Sequence, residues 1–222
     1  MPAEWVATAR VYAGRQPRGV AMERRWATDT PDAELIAAAQ AGAAGAFALL
    51  VERYYAPVLR TLARQTGDRE LAADLAQETF EGALRSLDRL RPGAPFAPWL
   101  YGIARHRRQA TARRRRLRRL VALDWLPTRE RAGHPALRAD DPATGVAARD
   151  LVQHALDALR PAEREVLLLR QEWGFAGAEV AAILGVTPAA ARRRLARATA
   201  RFRARYRALA GEGGGDGDDA LL

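Results

Sequence analysis

Residues 173–206 read WGFAGAEVAAILGVTPAAARRRLARATARFRARY, and the architecture of the chain follows from how this stretch is understood. AEVAAIL has the composition of a short helix, and it runs into Gly185, a residue that ends helices because it tolerates left-handed backbone. After Val186, Thr187 followed by Pro188 is a strong start signal: the hydroxyl can accept from a free N–H, and proline at the first helical position loses no hydrogen bond. In the helix that follows, Ala191, Leu195, Ala198 and Phe202 recur at intervals of four, three and four, forming a buried stripe. Arg192, Arg193, Arg194, Arg197 and Arg201 lie opposite, and no acid occurs between Glu179 and Glu212. Short helix, glycine turn and capped basic helix make a helix-turn-helix, whose second helix fits the major groove. Arginines there can bridge guanine O6 and N7 or neutralise phosphates. The competing reading is a plain helical hairpin with a solvated arginine face; the agreement of turn, cap and one-sided charge argues against it.

Upstream, DLVQHALDALRPAEREVLLLR (150–170) supplies two helices around Pro161, with Val152, Leu156, Leu159, Val166, Leu167 and Leu169 as their apolar faces. This pair reads as scaffold for the DNA reader, and the domain spans residues 148–209. Beyond it, GEGGGDGDDALL is low-complexity, and 210–222 reads as a disordered tail. Its acids do not follow the calcium-loop pattern, so no metal is assigned there.

The whole composition supports a nucleic-acid partner. Every one of the 36 basic residues is arginine, against 26 acids, for a net charge of +10. An arginine-rich genome explains the missing lysine but not the clustering of the charge. With no cysteine, disulfides, thiolate chemistry and thiolate zinc sites are excluded. No apolar run approaches a membrane span, and the first 26 residues lack a signal-peptide core, so a cytoplasmic protein without membrane insertion is expected. The three histidines, His106, His134 and His154, have no metal-ligand spacing. No phosphate-binding glycine loop or nucleophile motif is present, so no enzyme activity, cofactor or metal is expected.

The first half of the chain is a second helical domain. Residues 1–30 read as an irregular arm with Trp5 and Trp26 as its bulky anchors. Asp32 is placed to cap a helix that ends at Gly42, and AFALLVERYYAPVLRTLARQ (46–65) follows with Phe47, Leu50, Val51, Tyr54, Val58 and Leu62 on one face. Pro57 is expected to kink or break it. A third helix covers 69–90, after the stop at Gly67-Asp68. On it Asp74, Gln77, Glu78 and Glu81 share one face, while Leu71, Leu75, Phe80, Leu84 and Leu87 serve the core. After the loop RPGAPFAP, the fourth helix is WLYGIARHRRQATARRRRLRRL (99–120), where nine arginines fall between Arg105 and Arg119. Residues 119–147, with Pro127, Gly133, Pro135, Pro142 and Gly145, form a linker. No strand pattern occurs. The expectation is therefore an all-α chain: a helical domain at 31–118 and a helix-turn-helix domain at 148–209, joined by a flexible linker.

Four segments carry a resemblance. GDRELAADLAQETF (67–80), PFAPWLYGIARHRRQATARRRR (95–116), ALRPAEREVLLLR (158–170) and GAEVAAILGVTPAAARRRLARA (177–198) resemble, in order, motifs of the bacterial extracytoplasmic-function (ECF) sigma factors. The resemblance implies a sigma factor that binds core RNA polymerase, directs initiation at promoter DNA and helps open it. It carries the docking motif for the clamp helices of the largest polymerase subunit onto Asp74, Leu75, Gln77, Glu78 and Phe80. It carries recognition of the minus-ten element onto Phe96, Trp99, Tyr101, Arg105, His106, Arg107 and Arg108. Burial statistics favour a core position for Trp99 and exposure for Tyr101, while Arg113 to Arg116 are expected on flanking phosphate. The minus-thirty-five reader maps onto Thr187, Arg192, Arg193, Arg194 and Arg197, and its scaffold onto the flap of the second-largest subunit. Many relatives are held by an anti-sigma factor, a further partner the resemblance allows.

The chain departs from the pattern at several positions. Ala73 replaces a frequent acid, His106 a common asparagine, Ala110 another acid, Arg193 the usual serine, and Ala176-Gly177 a Ser-Tyr pair, which leaves the helix after it more weakly capped. Two other readings compete. A conventional helix-turn-helix regulator without polymerase docking leaves the first domain unused. A nonspecific arginine-rich binder predicts affinity set by phosphate charge alone.

Overall fold

The computed structural model describes residues 26–121 and 144–211. Among these the chain is entirely helical, in two compact units: residues 26–62 and 69–121 form the first, and Ala63–Asp68 with 144–211 the second. Residues 1–25 of the expected arm, 122–143 of the linker and 212–222 of the tail lie outside the described residues.

In the first unit, α1 (Asp32–Gln40) leads to α2 (Ala44–Thr66), α3 (Arg69–Ser86), a 3-10 turn (Leu87–Arg89) and α4 (Phe96–Val121). Asp32 does not cap α1. Pro31 stands at the cap position, its carbonyl accepting from Glu34 and Leu35, and the Asp32 carboxylate accepts from Arg53 and Tyr54 instead. The other guanidinium nitrogen of Arg53 donates to the carbonyls of Thr28 and Thr30, at 2.9 and 2.8 Å. The last residues of the expected arm are thereby pinned to α2.

The break expected at Pro57 is absent: α2 runs through it without interruption. An interior proline costs about 3 kcal/mol, whereas each fully buried aliphatic side chain contributes roughly 1.5–3 kcal/mol. Leu50, Val51, Val58, Leu59 and Leu62 are all buried on either side of Pro57, which outweighs the missing bond.

The third expected helix ends earlier than 69–90, tightening into the 3-10 turn after Ser86, whose Oγ donates to the Gly82 carbonyl at 2.6 Å. Helix α3 packs on α4, with Ala72, Leu75, Ala76, Thr79, Phe80 and Ala83 of α3 and Phe96, Leu100, Tyr101 and Ala104 of α4 buried. Rings from α2 complete this core: Tyr54 lies 5.3 Å from Phe96 and Tyr55 6.2 Å from Phe80, centroid to centroid. Gly82 sets the closest approach, since a Cβ there would stand 3.2 Å from Arg107 Nη2 and 3.3 Å from Ile103 Cγ2.

The second unit comprises α5 (Thr144–Asp157), α6 (Pro161–Gln171), α7 (Gly177–Leu184) and α8 (Pro188–Ala210), with α8 packed against the other three. Helix α4 continues to Val121 and α5 starts at Thr144, so both extend into the expected linker. The core is Ala155, Leu156, Leu159, Val166, Leu167, Leu168, Leu169, Phe175, Val180, Ala181, Ala191 and Ala198. Among the described residues no helix is long and apolar enough to cross a membrane.

Candidate nucleic-acid interface

Helix α7 ends at Gly185 in the left-handed region, φ +64°, as the glycine stop requires. Thr187 Oγ1 then accepts from the Ala190 N–H at 3.2 Å and Pro188 occupies the first turn of α8, so the start signal is realised. At the other end of α7, where a weak cap is expected, Ala176 has no side chain to offer. The Glu179 carboxylate instead reaches back to the Ala176 N–H at 2.7 Å. That bond restores half of a capping box and uses the acid nearest the basic helix.

On α8, Ala191 and Ala198 are buried and Leu195 and Phe202 partly so, which leaves Arg192, Arg193 and Arg197 exposed and Arg194 half-buried. Arg201 departs from the expected arrangement. Its Nη1 donates to both carboxylate oxygens of Glu163 on α6, at 2.8 Å each. Glu163 is only 4 % exposed and also accepts from the Arg160 N–H at 3.3 Å. Burial by itself would raise its carboxyl; the hydrogen bond and charge of Arg201 with the Arg160 N–H more than offset this and hold it below the usual carboxylate range. Arg201 therefore fastens the basic helix to its scaffold. Sequence reasoning does not find Glu163, because an acid between arginines looks solvated. Only its position three residues into a Pro-started helix hints at an inward role.

The first unit presents two surfaces. On α3, Asp74, Gln77 and Glu78 are exposed and Glu81 is partly so, with Gln77 donating to Glu81 at 3.1 Å. Leu75 and Phe80 of the same motif are buried, so they seat the helix and do not form its outer surface.

The outer face of α4 differs from expectation. Tyr101 and Phe96, both candidates for base contact, are each 1 % exposed, and Trp99 is the ring that reaches the surface. The reason is helical phase: Phe96, Leu100, Tyr101 and Ala104 fall on the side facing α3, while Trp99, Gly102 and His106 fall outside it. Neither buried ring offers a face on which a base could stack. Arg105, Arg107 and Arg108 are half-buried, the Arg107 guanidinium lying against Gly82, whereas Arg113 to Arg116 are exposed.

Tyr54 is the other perturbed group of this unit: burial first, then its hydrogen bond to Asp32, raises its phenol well above the usual range and keeps it a donor. No cluster able to hold a metal occurs among the described residues.

Known proteins share both units. Sigma-70 region 2 matches residues 50–119 and Sigma-70, region 4 matches residues 149–202. The chain is 37 % identical over 162 residues to the RNA polymerase sigma factor CarQ of Myxococcus xanthus, covering 73 % of this chain and 90 % of that one. It is 36 % identical over 180 residues to the RNA polymerase sigma factor CnrH of Cupriavidus metallidurans, covering 78 % and 94 %. It is 32 % identical over 167 residues to the ECF RNA polymerase sigma factor BldN of Streptomyces coelicolor, covering 73 % and 62 %. The solved structure of CnrH in complex with the cytosolic domain of CnrY superposes with a TM-score of 0.59 at 28 % identity, over 82 % of this chain and 99 % of that one. The region 2 match takes up the first unit, which a conventional helix-turn-helix regulator leaves unused. Both regions, in order and on their own helical units, place the chain in the sigma-70 family, as an RNA polymerase sigma factor of the ECF subfamily.

Proposed function

We propose that the chain docks on the clamp helices of core polymerase through Asp74, Gln77 and Glu78, reads the upstream promoter element with α8 and engages the downstream element with the outer face of α4. The observation that carries this is the segregation of charge: a polar, acidic α3 surface on one helix, and outward arginines on α8 for which no described acid is a partner except at Arg201. Arg192, Arg193 and Arg197 supply base or phosphate contacts upstream. Trp99 and His106, with Arg113 to Arg116, supply the surface met by the opened strand, where aromatic faces and positive charge hold bases and backbone. The chain makes and breaks no covalent bond in this scheme; the polymerase does. CnrH was solved with the cytosolic domain of CnrY, and a protein that covers these surfaces is a further partner of this chain in our reading. All of this takes place in the cytoplasm, where the polymerase works.

The test is reconstitution. Purified protein with core polymerase should form a stable complex and initiate from a matching promoter template; no complex would sink the proposal. Glu78→Arg should reduce core binding at least tenfold without changing duplex DNA binding by the free protein. Equal loss of both would show that the surfaces are misassigned.

A further inference from the structure

On α8 the exposed residues Arg193, Arg197, Ala200, Ala204 and Arg207 recur at intervals of four, three, four and three, and Gly211 follows four later in the same register. They form one lengthwise strip, with Arg203 beside it, in which small alanines lie between guanidinium groups. No described acid pairs with any arginine of this strip; Glu163, the one acid that reaches α8, is taken by Arg201.

Residues beyond Gly211 carry Glu212, Asp216, Asp218 and Asp219 and no basic residue, spaced by glycines. Gly211 itself is left-handed, φ +74°, so the helix ends there and the chain turns away from its axis. The lengths agree. A helix rises about 1.5 Å per residue, which puts Arg197 roughly 21 Å and Arg193 roughly 27 Å back from Gly211. An extended chain spans ~3.3–3.6 Å per residue, so Asp218 and Asp219 reach roughly 23–29 Å from it.

We propose that the acidic segment 212–219 folds back along the arginine strip of α8, with Asp216, Asp218 and Asp219 standing where DNA phosphates would. The inference rests on the reading of α8 as the DNA reader. Its consequence is selection: duplex DNA must displace the segment, which suppresses binding driven by phosphate charge alone and leaves sites that add base contacts at an advantage. Because the exposed ion pairs are individually weak, the segment yields to promoter DNA and does not block it.

The chain has no cysteine, so a single spin label can be placed by Ala220→Cys in the full protein. The expected result is broadening of amide signals over residues 193–200, lost at about 0.5 M salt, where screening is short-ranged, and lost in the Asp216→Asn, Asp218→Asn, Asp219→Asn variant. Broadening confined to residues after about 205 overturns the proposal. Anisotropy with a labelled non-promoter duplex supplies the second arm. The triple Asn variant should bind about 3- to 10-fold tighter at low salt, with a steeper salt slope because the strip then starts with its counterions. Deletion of residues 213–215 keeps every charge but shortens the reach, and should behave like the triple variant. If the deletion binds like the parent, net charge explains the effect and docking is refuted. If no form binds duplex, the reading of α8 fails, while the spin-label result still decides whether the segment docks.

Discussion

Two helices of this chain are rich in arginine, and they use it differently. Helix α8 turns its basic strip outward and keeps one arginine, Arg201, for a buried carboxylate. Helix α4 begins as a core helix, with Phe96, Leu100, Tyr101 and Ala104 buried, and its first arginines, Arg105, Arg107 and Arg108, are half-buried beside them. Only from Ala112 are its described side chains exposed on every side, including Leu117 at 61 %. The same residue type thus clamps a scaffold, packs over a glycine or faces solvent, and the neighbouring helix decides which. Charge counting alone treats all three as one basic patch.

The contrast is tested most severely at the core end of α4. Tyr101→Ala should destabilise the first unit by about 3–5 kcal/mol, the range for deleting a buried aromatic, read as a lower denaturant midpoint. Trp99→Ala should cost less than about 1.5 kcal/mol, the scale of a partly exposed side chain. Equal losses would show that the two rings are not divided between core and surface.

Next in size, Arg201→Ala should cost the second unit about 2 kcal/mol, because it leaves a buried carboxylate without its charged donor. The sign with pH follows from Glu163, whose carboxyl is lowered in the folded state. Its contribution is fully present above the unfolded value near ~4.3, and is lost as pH falls through the lower folded value. The wild type should therefore be steady above about pH 5 and lose that contribution in strongly acid solution. A pH-independent difference between wild type and variant down to about pH 2 would remove Glu163 as the partner.

Arg193→Ala, on the outward strip, should leave stability within about 0.5 kcal/mol while weakening upstream-element binding by about 1–2 kcal/mol. Core polymerase affinity should be unchanged. A stability loss like that of Arg201→Ala would mean that Arg193 is also structural.

The smallest effect compares two glycines. Gly102 sits inside α4 on its exposed side, with open space for 4 Å around the place a Cβ would take, so Gly102→Ala should stabilise by about 0.5–1 kcal/mol through helix propensity. Gly82→Ala meets Arg107 and Ile103, and should gain less or lose. Thermal midpoints of the two variants check this, and equal gains would show that α3 and α4 are not held at the distance Gly82 permits.

Much of this is legible in residue order. The Gly185 stop, the Thr187 cap and the Ala191–Leu195–Ala198–Phe202 stripe are local signals, and each is realised in the structure. The polar face of α3 is equally plain, since Asp74, Gln77 and Glu78 follow helical spacing. Pro57, Tyr101 and Arg201 depart from expectation for one shared reason. Residue type suggests one outcome for each, and a partner distant in sequence imposes another: the apolar burial flanking Pro57, the α3 surface facing Tyr101, and Glu163 on α6.

Residue order suffices to make the chain helical in two units, to start and stop the helix-turn-helix, and to concentrate the basic charge on two helices. These follow from caps, periodicity and composition, which act over a few residues. Which arginines are available, and which ring of α4 meets solvent, is settled only when the helices pack. Those outcomes depend on desolvation and on charge partners brought from other helices, and no local pattern encodes them.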